Sequence, residues 1–127
     1  MQKRTAAKVA DLLGLAEEWL KEGRPRKLPG KPRAEATIYG LTTKVTTRNY
    51  FLIEKVSLVG AFRAARMEQG YSRRIQRIAE EELAVRSWPW TYEEFGLQGI
   101  DDLEWDTRAL LRDIRAARKH VERTYLS

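Results

Sequence analysis

Apolar residues recur along the chain at helical spacing in four stretches, separated by segments where the spacing fails. Over Thr5–Glu22, the residues Val9, Leu12, Leu13, Ala16, Trp19 and Leu20 fall at i, i+3, i+4, i+7, i+10 and i+11. That is one face of a 3.6-residue period and predicts an amphipathic helix. Thr5 suits its N-cap, and Gly23 followed by Pro25 suits its stop. Gly14 inside this stretch costs ~1 kcal/mol relative to alanine, which points to a kink or a close helix crossing. Helix is next expected over Thr47–Gln69, where Leu52, Val56, Val59 and Phe62 recur at i, i+4, i+7 and i+10, with Tyr50, Ile53 and Leu58 widening the stripe. Gly70 ends it, and Ser72 caps a helix running from Arg73 to about Arg86 with Ile75, Ile78, Ala79 and Leu83 inward. The last helix starts at Asp106 or Thr107. Its residues Leu110, Ile114, Ala117 and Val121 form a seam for another helix, in the same chain or in a second copy.

The intervening segments read differently. Residues 23–33 hold three prolines and two glycines, which forbid a helix or a central strand and predict an extended linker. Residues 34–47 fit a short helix followed by a turn, the reading preferred here, or a small hairpin, since Thr43–Thr47 is rich in β-branched residues. At Pro89 the periodicity breaks, and an irregular aromatic-acidic segment is expected over residues 87–106. The expected fold is therefore all-α: four to five helices around one core in a single domain over residues 1–127. Its parts are an N-terminal helix (5–22), a basic linker (23–33) and a main helical core (34–127). A length of 127 residues suits one domain with a core of its own.

Composition narrows the chemistry. The chain has no cysteine and one histidine, so it has no disulfide, no thiolate metal site and no multi-histidine site. No apolar run approaches the ~18 residues of a membrane span, and Met1–Thr5 opens no signal-peptide apolar region, so a cytoplasmic protein without a membrane partner is expected. The net charge of +6 is unevenly spread. Residues 1–33 carry net +5, residues 34–70 net +2, residues 71–86 net +1 and residues 107–127 net +4, whereas residues 87–106 carry six acidic and no basic side chains. Excess positive charge favours polyanionic partners.

Catalysis has little to stand on. His120 lies between Lys119 and Val121 on a basic helix, without a nucleophile and an orienting group in a recognisable arrangement. Asp102, Glu104 and Asp106 alternate like the opening of a calcium loop, but Thr107 stands where the sixth-position glycine belongs and Asp113 where the twelfth-position glutamate belongs. These carboxylates are read as charges at the positive end of the last helix. Phosphate-loop motifs are absent, and no enzyme activity, cofactor or metal is expected.

The basic segments carry the functional expectation. Lys21-Glu22-Gly23-Arg24-Pro25-Arg26-Lys27 resembles the AT-hook, a minor-groove motif built on Arg-Gly-Arg-Pro, and departs from it at Glu22. The resemblance covers seven residues and implies an extended arm along a narrow groove. Lys21, Arg24, Arg26, Lys27, Lys31 and Arg33 are thus candidate nucleic-acid contacts. So are Arg73, Arg74 and Arg77 near the Gly70 turn, where Arg63 and Arg66 also cluster. Arg108, Arg112, Arg115 and Lys119 form a further stripe on the last helix. Helix-turn-helix alignments centred on Gly40 or on Leu13-Gly14-Leu15 fit only in part. Three of the four tryptophans fall in the acidic segment, where Trp88 and Trp105 are expected in the core and Trp90, Tyr92, Glu93 and Phe95 on a protein-binding surface. The leading expectation is a non-enzymatic nucleic-acid-binding accessory protein, a small transcriptional regulator binding DNA rather than RNA. The alternatives are a modulator of a larger transcription or replication enzyme acting through residues 87–106, and a homo-oligomer built through residues 107–125.

Overall fold

A computed structural model describes residues 1–22, 26–27, 42–47, 50–55, 57–103 and 106–127. The fold is all-α as expected, with five helices among the described residues around one core. These are α1 (Lys3–Glu22), α2 (Leu58–Gln69), α3 (Arg73–Ser87), α4 (Pro89–Leu103) and α5 (Thr107–Val121), the last running into a π-helical turn at Glu122–Leu126. Accompanying them are short strands β1 (Arg26–Lys27), β2 (Thr42–Thr47) and β3 (Tyr50–Lys55), antiparallel in the order β1-β3-β2.

Helix α1 lies at the centre, packed on α2, α3 and α5. Val9, Leu12, Leu13, Ala16 and Trp19 are buried, as their spacing predicts. The helix begins two residues before Thr5, which therefore sits inside its first turn and does not cap it. Gly14 marks a crossing and not a kink. A Cβ there would lie 3.2 Å from Arg118 Nη1, so the missing side chain admits the α5 arginine. The α5 seam of Leu110, Ile114, Ala117 and Val121 is buried against α1 of the same chain, the first of its two expected uses. Polar ties fix α1 to the end of α2 and to the turn that follows it. The Trp19 indole donates to Glu68 Oε2 at 2.8 Å, and the Tyr71 hydroxyl donates to Asp11 Oδ2. Burial together with the Asp11 carboxylate pushes the Tyr71 phenol up to about 12.

The structure corrects the helix expected over Thr47–Gln69. Tyr50–Lys55 is strand, and helix begins only at Leu58, where the Ser57 hydroxyl accepts from Gly60 N at 2.9 Å. The β-branched and aromatic residues before Ser57 favour pairing, and the serine supplies a helix start beyond them. Residues 42–47 are strand and pair with Tyr50–Lys55 rather than with a strand inside 34–47: Thr43 faces Ile53, Lys44 faces Leu52 and Val45 faces Phe51, while the short helix expected before them lies outside the described residues. Both helix-turn-helix alignments fail, since Gly14 is interior to one continuous helix and strand, not helix, begins at Thr42 beyond Gly40. Arg26–Lys27 of the basic stretch is extended and paired with Phe51 and Tyr50.

The aromatic-acidic segment is also more regular than expected. Residues 89–103 are helical except at Gly96, whose φ of 68° and ψ of −161° bend α4 into two halves. Proline at the first helical position has no N–H to lose, so Pro89 starts a helix here rather than breaking one. Trp88 packs against the core with its indole N–H buried and without a hydrogen-bond partner among the described residues. Trp105, the other tryptophan expected inside, lies outside the described residues.

Candidate nucleic-acid interface

The turn from α2 to α3 builds the site. Gly70 adopts φ 68°, a left-handed conformation that glycine enters without a Cβ penalty, and its N–H reaches Met67 O. Tyr71 N–H reaches Arg66 O at 2.9 Å, completing a helix stop that satisfies the last carbonyls. One residue later the Ser72 hydroxyl accepts from Ile75 N and starts α3. The chain therefore turns within three residues, Gly70–Ser72, and Arg63 and Arg66 on α2 come to face Arg73 and Arg77 on α3.

These four arginines line an open cleft of about 520 Å³ together with Gln76, Glu80 and Tyr92. A chain of polar contacts crosses it from α2 to α4. Arg66 Nε donates to Gln76 Oε1 at 2.7 Å, Gln76 Nε2 donates to Glu80 Oε2 at 3.0 Å, and the Tyr92 hydroxyl donates to Glu80 Oε1 at 3.3 Å. Burial pushes the Glu80 carboxyl above its ordinary value, while the bonds from Gln76 and Tyr92 and the charges of Arg63 and Arg77 pull it back. The Tyr92 phenol is driven up by burial and by the neighbouring Glu80 and Glu81 carboxylates. Hydrogen-bonded on both oxygens, Glu80 ties α3 to α4 through Tyr92, while Gln76 carries the tie to Arg66 on α2. Arg63, Arg73 and Arg77 are exposed and take part in no ion pair among the described residues. Three such guanidiniums around one cleft can accept the oxygens of a polyanion with little rearrangement.

The other basic residues fare differently. Arg74 points away from the cleft, toward a groove lined by Met1, Gln2, Thr5 and Tyr125. On α5 the arginines are engaged within the chain. Arg108 pairs with Asp106, Arg112 with Asp113, and Arg115 with Glu17, while Arg118 bridges Glu17 and Glu122. Lys119 and Lys21 are exposed. Arg24, Lys31 and Arg33 lie outside the described residues, and Arg26 and Lys27 are placed only as β1 backbone. Tyr92, expected on a protein-binding surface, belongs to the arginine cleft, whereas Trp90, Glu93 and Phe95 stand exposed on α4. Gln76 and Glu80 are not evident as site residues from sequence. The usable signal is their i, i+4 spacing on the same helix as Arg73 and Arg77.

Asp106 caps α5, its carboxylate accepting from Arg108 N at 3.0 Å, the helix-end role expected of it. Among the described residues no group of three or more potential metal ligands converges, and no helix is long and apolar enough to cross a membrane. No protein-family model, curated protein or solved structure matches the chain.

Proposed function

We propose that this is a non-enzymatic nucleic-acid-binding accessory protein, a small DNA-binding regulator that holds backbone phosphates at the α2–α3 corner. One observation carries the reading: Arg63, Arg73 and Arg77 surround a single cleft without an ion pair among the described residues, while the α5 arginines are committed to carboxylates of their own chain. The connection supports DNA as the polyanion. Two helices joined by a short glycine-containing turn make the unit that presents the N-terminal residues of its second helix to a groove. Here the residues of that first part of the helix that line the cleft are Arg73, Gln76 and Arg77. The basic stretch around Arg24, Arg26 and Lys27 would add contacts along the backbone or minor groove.

The test is binding to a fluorescent DNA duplex as salt is raised. Replacing Arg63, Arg73 and Arg77 with alanine should weaken binding and reduce the logarithmic salt slope by about 0.9 for each phosphate no longer neutralised. Replacing Arg108, Arg112 and Arg115 should have the smaller effect. Unchanged affinity and slope in the first variant, with the fold intact, would remove the cleft from the function.

A further inference from the structure

The first half of α4 carries an exposed surface that neither the core nor the arginine cleft uses. Trp90 is 81% exposed, and Phe95 on the same half is 68% exposed. Tryptophan normally contributes large buried area, so an indole left in water by a well-packed domain is available to something outside it. One turn beyond Trp90, at i+3 and i+4, stand Glu93 and Glu94, both exposed. Neither carboxylate takes part in an ion pair among the described residues. The surrounding segment, residues 87–106, offers them no lysine, arginine or histidine.

The platform is also built to hold its shape. Pro89 starts the half-helix, Gly96 ends it with a positive φ, and Gly99 returns against it. A Cβ at Gly99 would lie 2.7 Å from Phe95 Cβ and 2.9 Å from Thr91 Cγ2, so only glycine allows this close return.

We propose that Trp90, Glu93 and Glu94 form a docking site for a basic segment of a partner protein, with an arginine or lysine seated on the Trp90 indole and paired with the two carboxylates. Charge selects this occupant. An aromatic face attracts a cation, and adjacent carboxylates strengthen the preference. A phosphate backbone is repelled by the same carboxylates, and a second copy meeting this face with its own would set acid against acid. The site is independent of the arginine cleft, so either can fail alone.

The test uses the full chain and a fluorescent dodecapeptide carrying four arginines and two leucines. A matching peptide with glutamates for arginines and an oligo-dT of similar length serve as controls. The arginine peptide should bind and shift the Trp90 indole N–H resonance, identified by its loss in Trp90→Phe. Affinity should fall at least tenfold in Trp90→Ala and in the Glu93→Gln/Glu94→Gln double variant, and should weaken as salt is raised. Should Trp90→Ala fail to fold, the double variant, which alters only exposed carboxylates, decides alone. Equal affinity in the variants would overturn the proposal. So would a Trp90 shift produced by the oligo-dT, which would make the ring a stacking platform for bases, or self-association that Trp90→Ala abolishes.

Discussion

Replacing Glu80 with glutamine is expected to tighten DNA binding at neutral pH, the opposite of what weakening a purely structural polar network would do. Among the described residues the carboxylate is the one acidic group lining the arginine cleft, set among Arg63, Arg66, Arg73 and Arg77. A phosphate held by those guanidiniums would feel its charge at roughly 8 Å. With an effective dielectric of about 40, two unit charges at that distance repel by about 1 kcal/mol, and screening at physiological salt lowers this to about 0.4 kcal/mol. The variant should therefore bind about two- to sixfold more tightly. Its fold should survive, because glutamine keeps an oxygen for one of the bonds from Gln76 and Tyr92 and relieves the burial of a charge. The pH dependence supplies an internal check. Burial raises the Glu80 carboxyl, so lowering pH from neutral neutralises it sooner than an exposed glutamate. Among the described residues, the groups lining the cleft beside it are Arg63 and Arg66 from α2, Arg73, Gln76 and Arg77 from α3, and Tyr92 from α4, none of which gains or loses charge as pH falls through the acid range. Wild-type binding should thus strengthen as pH falls, and the wild-type and variant affinities should converge. Anisotropy titrations with a labelled duplex at several pH values measure this, with thermal melts as the control. Equal or weaker binding by Glu80→Gln at neutral pH, in a variant that melts normally, would refute the placement of phosphate in this cleft.

Two further outcomes test the packing. Ile114→Ala, which empties a fully buried position on the α5 seam, should cost about 2–5 kcal/mol in urea unfolding, with a midpoint that does not depend on protein concentration because the seam packs on α1 of the same chain. Gly99→Ala should destabilise by about 1–3 kcal/mol in thermal melts, since its Cβ would press on Phe95 and Thr91; a neutral effect would mean that the two halves of α4 do not return on each other.

Periodicity made most of the core legible. Val9, Leu12 and Trp19 of α1, Ile75, Ala79 and Leu83 of α3, and the α5 seam all lie on the faces that their spacing assigns. It failed where one numerical pattern ran across two kinds of structure. Leu52 and Val56 continue the spacing of Val59 and Phe62, yet Leu52 belongs to β3 and Val59 to α2, with the Ser57 cap between them. A cap residue ahead of an apolar stripe is the stronger signal, and the stripe runs on past it. Pro89 misleads in the opposite sense, because a residue that breaks helix interiors is well suited to a first turn. The arginine cluster around Gly70 is visible in sequence, but the cleft is not. Glu80, Glu81 and Glu82 look alike as a run of three, and only the rotation of the helix turns Glu80 inward to meet Tyr92 from α4 while leaving Glu81 in solvent.

The positive charge of this chain thus divides by what each cation has already met. Around α5, Glu17, Asp106, Asp113 and Glu122 occupy the arginines that the sequence places in a stripe. Such exposed pairs contribute little to stability, but a phosphate competing for those arginines must displace a carboxylate that is already in place. Among the described residues, no such displacement is needed for Arg63, Arg73 or Arg77 at the α2–α3 corner, and the carboxylate lining the cleft is drawn back into contact with Gln76 and Tyr92. The acidic surface follows the same logic with the sign reversed. Glu93 and Glu94 stand beside an exposed indole, in a segment whose sequence offers them no cation. Net charge alone would nominate α5 and the α2–α3 corner equally as polyanion surfaces; pairing within the fold separates them, because binding strength follows the charge that folding leaves unsatisfied.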